Sequence, residues 1–273
     1  MVEAGHENPS PAPGPEAVPD VSLAIPCFNE ESVLRSTVLR LARAFEEIRV
    51  DLELVLVDNG SRDRTGQIID ELVATGLPVI KRTIAVNRGY GYGILTGLAA
   101  CRGRIIGFLH ADGQCEARDV AKVCDVALHA ARPVLVKIRR RFRMDGWRRK
   151  VTSLCYNAAT NLLFPRIGSR DINGSPKVFP RECLAAMNLK SHDWFIDPEM
   201  MIRAQAVGLD VIEINVLSQM RPGGASHVDT STCWEFVINL WRYRFASSRS
   251  RATASRPVSV FNDAQEHAVE HAD

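Results

Sequence analysis

The segment Ile105-Ile106-Gly107-Phe108-Leu109-His110-Ala111-Asp112-Gly113-Gln114 decides how the rest of the chain is interpreted. Its apolar first half is typical of a buried β-strand, which stops at a lone carboxylate followed by glycine and polar residues. In open α/β sheets, ligands bind just beyond the carboxyl ends of the strands, so Asp112 is predicted to lie where ligands bind. A carboxylate there can hold a divalent cation against a diphosphate, because hard cations take oxygen ligands. A strand end with a solvated aspartate is the alternative that this segment alone leaves open.

Strand-like and helix-like segments alternate along the whole chain. Strands are predicted at residues 21–26, 52–57, 79–86, 105–109, 177–179 and 211–216. Helices are predicted at residues 33–45, 65–74, 87–101, 118–130, 151–164, 195 onward and 232–245. This alternation predicts an α/β fold with a Rossmann-like, mostly parallel sheet and helices on both of its faces.

The composition sets bounds on the class of protein. The chain has 273 residues, enough for one large domain with a substantial core, and its 34 Lys+Arg nearly balance 32 Asp+Glu. This near-neutral charge gives no indication of a nucleic-acid partner, and none is predicted. We expect a folded domain at residues 20–245 between two disordered tails, 1–19 and 246–273, because the tails are rich in Pro, Ala, Gly, Ser and charged residues.

The cysteines and the apolar segments bear on the compartment. The seven Cys include no C-x-x-C pair, which argues against a zinc site or a disulfide framework and predicts reduced thiols in a cytoplasm. No apolar stretch reaches the roughly 20 residues of a membrane-spanning helix, and the N-terminus lacks a signal-peptide pattern. We therefore expect a cytoplasmic protein, either soluble or peripheral at the inner membrane face.

Two local patterns each allow a second interpretation. Gly89, Gly91, Gly93 and Gly97 suggest a dinucleotide-binding loop, but that loop follows the first strand of its fold and here the glycines follow the third. A nicotinamide enzyme is therefore disfavoured. The basic run at residues 137–143 is either a solvated face or a loop that faces an anion.

Seven segments together resemble the family 2 glycosyltransferases in order and spacing, from about residue 20 to 245. They are IPCFNEE at 25–31, LVLVDNGSRDRTG at 54–66, NRGYGYGILTGLAACRG at 87–103, FLHADGQ at 108–114, RDINGSPKVFPRE at 170–182, FIDPEMMIRAQAVGL at 195–209 and RPGGAS at 221–226. Within that family the chain is most similar to enzymes of the dolichyl-phosphate mannosyltransferase type, which move a sugar from a nucleotide-sugar to a polyprenyl phosphate. The resemblance implies a GT-A fold with acceptor-side elements at its C-terminal end, and an inverting single displacement.

The resemblance also implies roles for residues on the donor side. Pro26, Phe28 and Glu30 would line the nucleotide pocket, with Phe28 beside the base and Glu30 accepting from the ribose. Asp58 would hold the base edge, and Arg88 would approach the base or the diphosphate. Each of these residues has a capping or turn role as its alternative, and that role is favoured for Asn29, Ser61 and Thr65.

The metal site departs from the family's pattern. The family usually carries Asp-x-Asp here, whereas this chain has His110-Ala111-Asp112. Asp112 is predicted to hold Mg²⁺ or Mn²⁺ with support from Gln114, since one carboxylate and two phosphate oxygens suffice. Imidazole is a poor ligand for Mg²⁺ but acceptable to softer ions, so His110 either binds the metal or, as we favour, packs or contacts the ribose.

The acceptor side is implied by later segments. Phosphate or acceptor contacts are expected from Arg143, Arg148, Arg149, Asp171, Ser175, Arg221 and Ser226, with Arg148 also catalytic. A phosphate acceptor is already ionised and needs no general base, whereas a hydroxyl needs a carboxylate to take its proton. Asp197 or Glu199 would serve as that base, and their alternative is a favourable interaction with a helix dipole.

Three functional hypotheses follow. The first is transfer to a polyprenyl phosphate at the membrane surface, either by direct association through an apolar helix at 234–245 or through a membrane-anchored partner. The second keeps the fold and transfers to a hydroxyl of a saccharide or small molecule. The third, suggested by His110, is a nucleotide-sugar-binding protein without catalysis.

Overall fold

The structure is a computed structural model of the chain, and it describes residues 17–142, 158, 160, 162–164, 167, 169 and 171–217. Strands and helices alternate through most of these residues. In chain order they are β1 (Val21–Cys27), α1 (Leu34–Glu47), β2 (Leu52–Asn59), α2 (Thr65–Ala74), β3 (Val79–Ile84), α3 (Tyr90–Ala100), β4 (Ile105–Phe108), α4 (Ala117–Leu128), β5 (Val134–Phe142), β6 (Lys177–Pro180), α5 (Cys183–Met187), α6 (Ile196–Ala206) and β7 (Asp210–Leu217).

The strands form a seven-stranded sheet in the order β3-β2-β1-β4-β6-β5-β7. β6 runs antiparallel to both of its neighbours, and the other pairs are parallel. The mostly parallel sheet predicted from the sequence is therefore confirmed. From β1 the chain adds β2 and β3 on one side and β4 on the other, so the strand order reverses between β1 and β4. Such a switch point opens a crevice at the carboxyl ends of the strands, where ligands bind in α/β sheets.

Two apolar cores lie on opposite faces of the sheet. Along β1, Leu23 and Ile25 belong to the core under α1 and α4, whereas Ala24 belongs to the core under α3 and α6. Successive side chains of a strand point to opposite faces, so an uninterrupted apolar strand supplies both cores. The apolar runs of the sequence predicted this arrangement, with helices on both faces.

The basic run is where the structure departs most from the sequence-based prediction. Residues up to Phe142 form β5, an internal strand between β6 and β7, rather than a solvated face or a loop. Lys137 is fully buried and pairs in register with Lys177 of β6, which is also fully buried. The sequence could not reveal this burial, because the acidic partners of both lysines come from distant segments.

Smaller differences concern element ends and the described range. β3 ends at Ile84 and α3 begins at Tyr90, so both are shorter than predicted. Among the described residues, no helix combines the length and apolar character needed to cross a bilayer. The predicted helix at 232–245, the loop at 221–226 and most of the predicted tails fall outside the described residues.

Candidate functional site

The loops after β1 and β2 are joined by side chains that act as turn anchors. The Glu30 amide donates to Thr65 Oγ1 at 2.8 Å, and the Asn29 amide donates to Ser61 Oγ at 3.2 Å. Asn29 Oδ1 in turn accepts from the Arg62 amide. The predicted turn roles of Asn29, Ser61 and Thr65 are therefore confirmed. Between these anchors Phe28 is 42% exposed, and its contact with a base stays a prediction.

Asp58 lies at the carboxyl end of β2 and is buried. Its Oδ1 accepts from the Ser61 amide at 3.0 Å, which is a turn contact. A Cβ at Gly66 would lie 2.6 Å from Asp58 Oδ2, so a glycine is needed where the first turn of α2 meets the carboxylate. Contact between Asp58 and a base edge stays a prediction.

The loop before α3 is held by Asn59 and carries Arg88. Asn59 Nδ2 donates to the Gly89 carbonyl at 3.0 Å, while its Oδ1 accepts from the Arg88 amide at 3.4 Å. A carboxylate could only accept, so this double contact explains an amide at this position. The Arg88 guanidinium lies 4.1 Å from the centre of the Tyr92 ring and donates to its hydroxyl. Arg88 thus lies in the loop after β3, which contacts the turn after β2 at Gly60, and its contact with a base or diphosphate stays a prediction.

His110 is bound by a tyrosine that the sequence-based prediction did not single out. The Tyr90 hydroxyl and His110 Nε2 lie 2.7 Å apart. Burial lowers the pKa of His110, which keeps the imidazole neutral near pH 7. With Nε2 engaged by Tyr90, any ligand contact of this ring falls to Nδ1. This geometry agrees with the favoured packing role of His110. It also shows that the glycine-rich segment contributes a side chain, Tyr90, to the turn after β4.

Asp112 lies where the sequence predicted it, in the turn after β4. It is buried, its Oδ1 accepts from the Gln114 amide at 3.1 Å, and Gly113 takes the left-handed φ of +66° that this turn requires. No group of three or more His, Cys, Asp or Glu suited to a metal occurs among the described residues. Mg²⁺ commonly binds through one or two carboxylates together with substrate phosphates. Asp112 and the side-chain oxygen of Gln114 therefore suit a cation whose remaining ligands come from a diphosphate. They do not suit a cation that is bound by protein side chains alone.

A cleft opens beside Asp112. The residues that line it include His110, Asp112, Gln114, Arg140, Asn173 and Ser175. Asn173 Oδ1 is buried and has no hydrogen-bond partner in the part of the chain that the structure describes. An acceptor atom at a cleft wall is available to a donor group of a ligand.

Arg140 is held in this cleft by Asp171. Its Nε and Nη2 donate to the two carboxylate oxygens at 2.9 and 2.8 Å, and its amide donates to the same group. Burial by itself raises the pKa of Asp171. The hydrogen bonds and charge of Arg140, together with the charge of Lys137, have the larger effect and hold that pKa below its usual range. Asp171 therefore orients a cation. Ser175 Oγ contacts the Phe108 carbonyl at 3.4 Å, so this residue reaches the end of β4.

The two candidate bases lie in the first turn of α6 and are both buried. Asp197 forms an ion pair with Lys177 of β6. Glu199 Oε2 accepts from the amides of Lys190 and Ser191 at 3.0 and 2.8 Å, which ties down the loop before α6. Both carboxylates thus already have partners within the fold.

Several predicted residues lie outside the described part of the chain, and several others were missed. Arg143, Arg148, Arg149, Arg221 and Ser226 fall in the first group. Tyr90, Arg140, Asn173, Lys177 and Trp194 were not predicted as site residues. Arg140 lies within the basic run, which was the one available signal. Asn173 lies between the predicted residues Asp171 and Ser175. Tyr90, Lys177 and Trp194 are connected to the site by contacts between segments distant in the chain.

The fold and the edge of the sheet define a class of protein. A Rossmann-like, mostly parallel sheet with a switch point between β1 and β4 and an aspartate just after β4 is that of a GT-A glycosyltransferase. Residues 22–192 match the profile of glycosyl transferase family 2, and the chain belongs to this family.

The comparisons with individual proteins agree with this assignment. The undecaprenyl-phosphate 4-deoxy-4-formamido-L-arabinose transferase of Aeromonas hydrophila is 29% identical over 140 residues, covering 50% of this chain and 42% of the relative. Glycosyltransferase AglD of Haloferax volcanii is 27% identical over 230 residues, covering 80% of this chain and 36% of the relative. This chain thus spans less than half the length of these curated relatives.

A solved structure shares the fold. Glucosyl-3-phosphoglycerate synthase of Mycobacterium tuberculosis, in complex with Mn²⁺, UDP and glucosyl-3-phosphoglycerate, superposes with a TM-score of 0.65 at 21% identity. The match covers 83% of this chain and 80% of the synthase.

Proposed function

We propose that this protein transfers a sugar from a nucleoside diphosphate sugar to a polyprenyl phosphate, with inversion at the sugar carbon. The observation that carries the proposal is the cleft itself, whose lining includes both Asp112 and Arg140. An acid that holds a cation suits the donor diphosphate, and a fixed arginine suits a second phosphate. The curated relatives named as undecaprenyl-phosphate transferases support the acceptor class.

The donor would bind at the switch point of the sheet. Phe28 presents a ring for the base, Asp58 and Glu30 offer carboxylates to the base edge and the ribose, and Arg88 offers a cation to the base or diphosphate. Asp112 and Gln114 would hold a divalent cation, which offsets the charge that develops on the leaving diphosphate. Related folds with Mn²⁺ or Mg²⁺ and UDP support this cofactor and this ligand class.

The acceptor phosphate would bind beside Arg140, in the same cleft as Asp112. Arg140 is oriented by Asp171, and the cleft adds Asn173 and Ser175 as polar groups. Arg143, Arg148 and Arg149 follow it in the chain, and Arg221 and Ser226 come later, so further contacts with the phosphate are proposed for them. An ionised phosphate oxygen attacks the anomeric carbon from the side opposite the diphosphate, and the configuration inverts.

The state of Asp197 favours a phosphate over a hydroxyl acceptor. Transfer to a hydroxyl needs a base, and Asp197 is committed to Lys177 while Glu199 is committed to two backbone amides. Transfer to a phosphate needs no base, so both carboxylates are free to serve as structural partners. A polyprenyl acceptor also implies work at a membrane surface, where the protein would be peripheral or joined to an anchored partner.

The test is a transfer assay with matched acceptors. Purified protein is given a nucleotide-sugar, a divalent cation and either undecaprenyl phosphate or undecaprenol, which lacks the phosphate. We expect lipid-linked sugar with the phosphate alone, and none from Asp112→Asn. Transfer to 3-phosphoglycerate or a saccharide without transfer to undecaprenyl phosphate would replace the proposal with the hydroxyl-acceptor alternative. Activity that arises only after His110→Asp would support a protein that binds without catalysis.

A further inference from the structure

Two aromatic side chains among the described residues are exposed, and both lie beside the candidate site. They are Phe28, after β1, and Trp194, just before α6, with 42% and 38% of their surfaces exposed. The other phenylalanines and tyrosines whose burial is described are buried or half-buried. A nucleotide-sugar likewise has two ring systems with faces that can pack on an aromatic ring, its planar base and its transferred sugar. The proposed function assigns Phe28 to the base and gives no role to Trp194.

Trp194 is joined to the metal-site turn through two rings. Its indole stacks on Tyr90 with the ring centres 4.4 Å apart and the planes inclined by 23°. The hydroxyl of Tyr90 meets His110 Nε2 at 2.7 Å, and His110 precedes Asp112 by two residues. The indole therefore extends an aromatic wall that begins at the end of β4, where the donor diphosphate is proposed to bind.

The loop that carries Trp194 is rigidly held. A Cβ on Gly91 would lie 2.3 Å from the Ser191 carbonyl, so the loop contacts the α3 backbone directly. The Tyr92 amide donates to the His192 carbonyl at 3.1 Å, and Glu199 accepts from two amides of the same loop. An exposed ring on an anchored loop loses little conformational freedom when a ligand covers it. This is the arrangement expected of a binding surface rather than of a chance surface aromatic.

We propose that the indole of Trp194 is the stacking surface for the transferred sugar of the donor, as Phe28 is for its base. This inference rests on the proposed function. One face of a pyranose ring presents C–H groups, which pack against the electron-rich face of an aromatic ring and remove apolar area from water. The sugar is bonded directly to the diphosphate, so it must lie next to the cation site, within reach of a wall that begins at His110. Trp194 then determines affinity for the sugar part of the donor, and not for the nucleotide part.

Calorimetry with paired ligands tests this inference. UDP, GDP and dTDP are each compared with UDP-glucose, GDP-mannose and dTDP-glucose in the presence of Mg²⁺ or Mn²⁺. For the pair that binds, Trp194→Ala should weaken the nucleotide-sugar about tenfold and leave the free nucleoside diphosphate unchanged. Trp194→Phe keeps a flat ring and should recover most of that loss. Phe28→Ala should weaken both ligands by the same factor.

Two controls separate a binding role from a structural one. Val73→Ala, an exposed apolar residue near the far end of α2, should change neither affinity. The midpoint of thermal unfolding without ligand should be the same for Trp194→Phe and the wild type. Equal losses for both ligands in Trp194→Ala, no loss for either, or a loss confined to the acceptor's KM would overturn the assignment. Failure of the wild type to bind any nucleotide would instead overturn the proposed function.

Discussion

Asp197 illustrates how a buried partner changes what a single carboxylate can do. In the sequence it is a candidate base followed by proline and glutamate, but in the fold it neutralises Lys177 on a neighbouring strand. Both side chains are excluded from water, so the ion pair replaces the hydration that each charge has lost. A substitution at Asp197 therefore affects folding before it affects turnover.

We expect Asp197→Asn to lower the free energy of unfolding by about 3–5 kcal/mol, because it leaves the Lys177 ammonium buried without a counter-charge. The double variant Lys177→Met with Asp197→Leu removes both charges and should recover most of that loss. Denaturant unfolding measures both. As a control, Asp70→Asn breaks the exposed pair with Lys81 and should cost less than about 1 kcal/mol. A loss in Asp197→Asn no larger than this control would mean that the pair contributes no more than a surface contact.

Asp171 should make stability depend on acid pH. Arg140 and Lys137 outweigh burial and depress the pKa of Asp171 in the folded state relative to the unfolded chain. Its stabilising contribution is then complete above the ordinary aspartate value of about 4 and is lost as pH falls through the lower folded value. The stability difference between wild type and Asp171→Asn should therefore be largest near pH 7 and shrink between about pH 4 and 2. A difference that stays constant over this range would exclude the proposed charge contribution.

At the scale of elements, the first turn of α3 and the loop before α6 form one unit. Gly89 and Gly91 allow the loop carbonyls of residues 191–193 to approach the helix backbone. These contacts place Tyr90 beside His110, and the Tyr90 ring stacks on the indole of Trp194. Glycines that resembled a dinucleotide loop in the sequence thus serve a close approach between two backbones.

We expect Gly91→Ala to be destabilising by about 1–3 kcal/mol even though alanine is the better helix former, because its Cβ would overlap the Ser191 carbonyl at 2.3 Å. The displaced loop carries Trp194, so nucleotide-sugar affinity should fall together with stability. Gly76→Ala is the matched control, since a Cβ there meets nothing within 4 Å and the cost is limited to its left-handed φ of +76°. Both can be compared by thermal unfolding and calorimetry. Retention of full donor affinity in Gly91→Ala would show that the loop position does not govern the site.

At the scale of the whole molecule, the proposed donor site would join loops from both halves of the sheet, so we expect ligand binding to stabilise the entire domain. A nucleoside diphosphate at about a hundred times its Kd adds roughly 2.7 kcal/mol, which for a chain of this size is a shift of roughly 5–10 °C. We expect that shift to need Mg²⁺ or Mn²⁺ and to lose its metal-dependent part in Asp112→Asn. A panel of UDP, GDP, dTDP and CDP with each ion or with EDTA provides the measurement. A shift in Asp112→Asn that still depends on the metal would place the cation elsewhere.

Much of the fold and part of the site could be predicted from local sequence patterns. The apolar run at 105–109 correctly predicted that Asp112 follows a strand end. The turn roles of Asn29, Ser61 and Thr65 were predictable because these residues lie close to strand ends in the chain. The basic run up to residue 142 forms strand β5 inside the sheet, where Lys137 pairs with Glu213 and donates to the backbone carbonyl of Asp171. Charge in a sequence does not report burial when the partners come from elsewhere.

The sequence by itself determined the alternation of strands and helices, the two apolar faces and the edge at which ligands bind, because each depends on residues near one another in the chain. The tertiary structure alone decided which charges and rings meet. Lys137 and Lys177 became neighbours on paired strands, Asp197 became the counter-charge of Lys177, and Tyr90 joined His110 to Trp194. These contacts link segments 20 to more than 100 residues apart in the chain, and only the packing of the sheet and helices brings them within bonding distance.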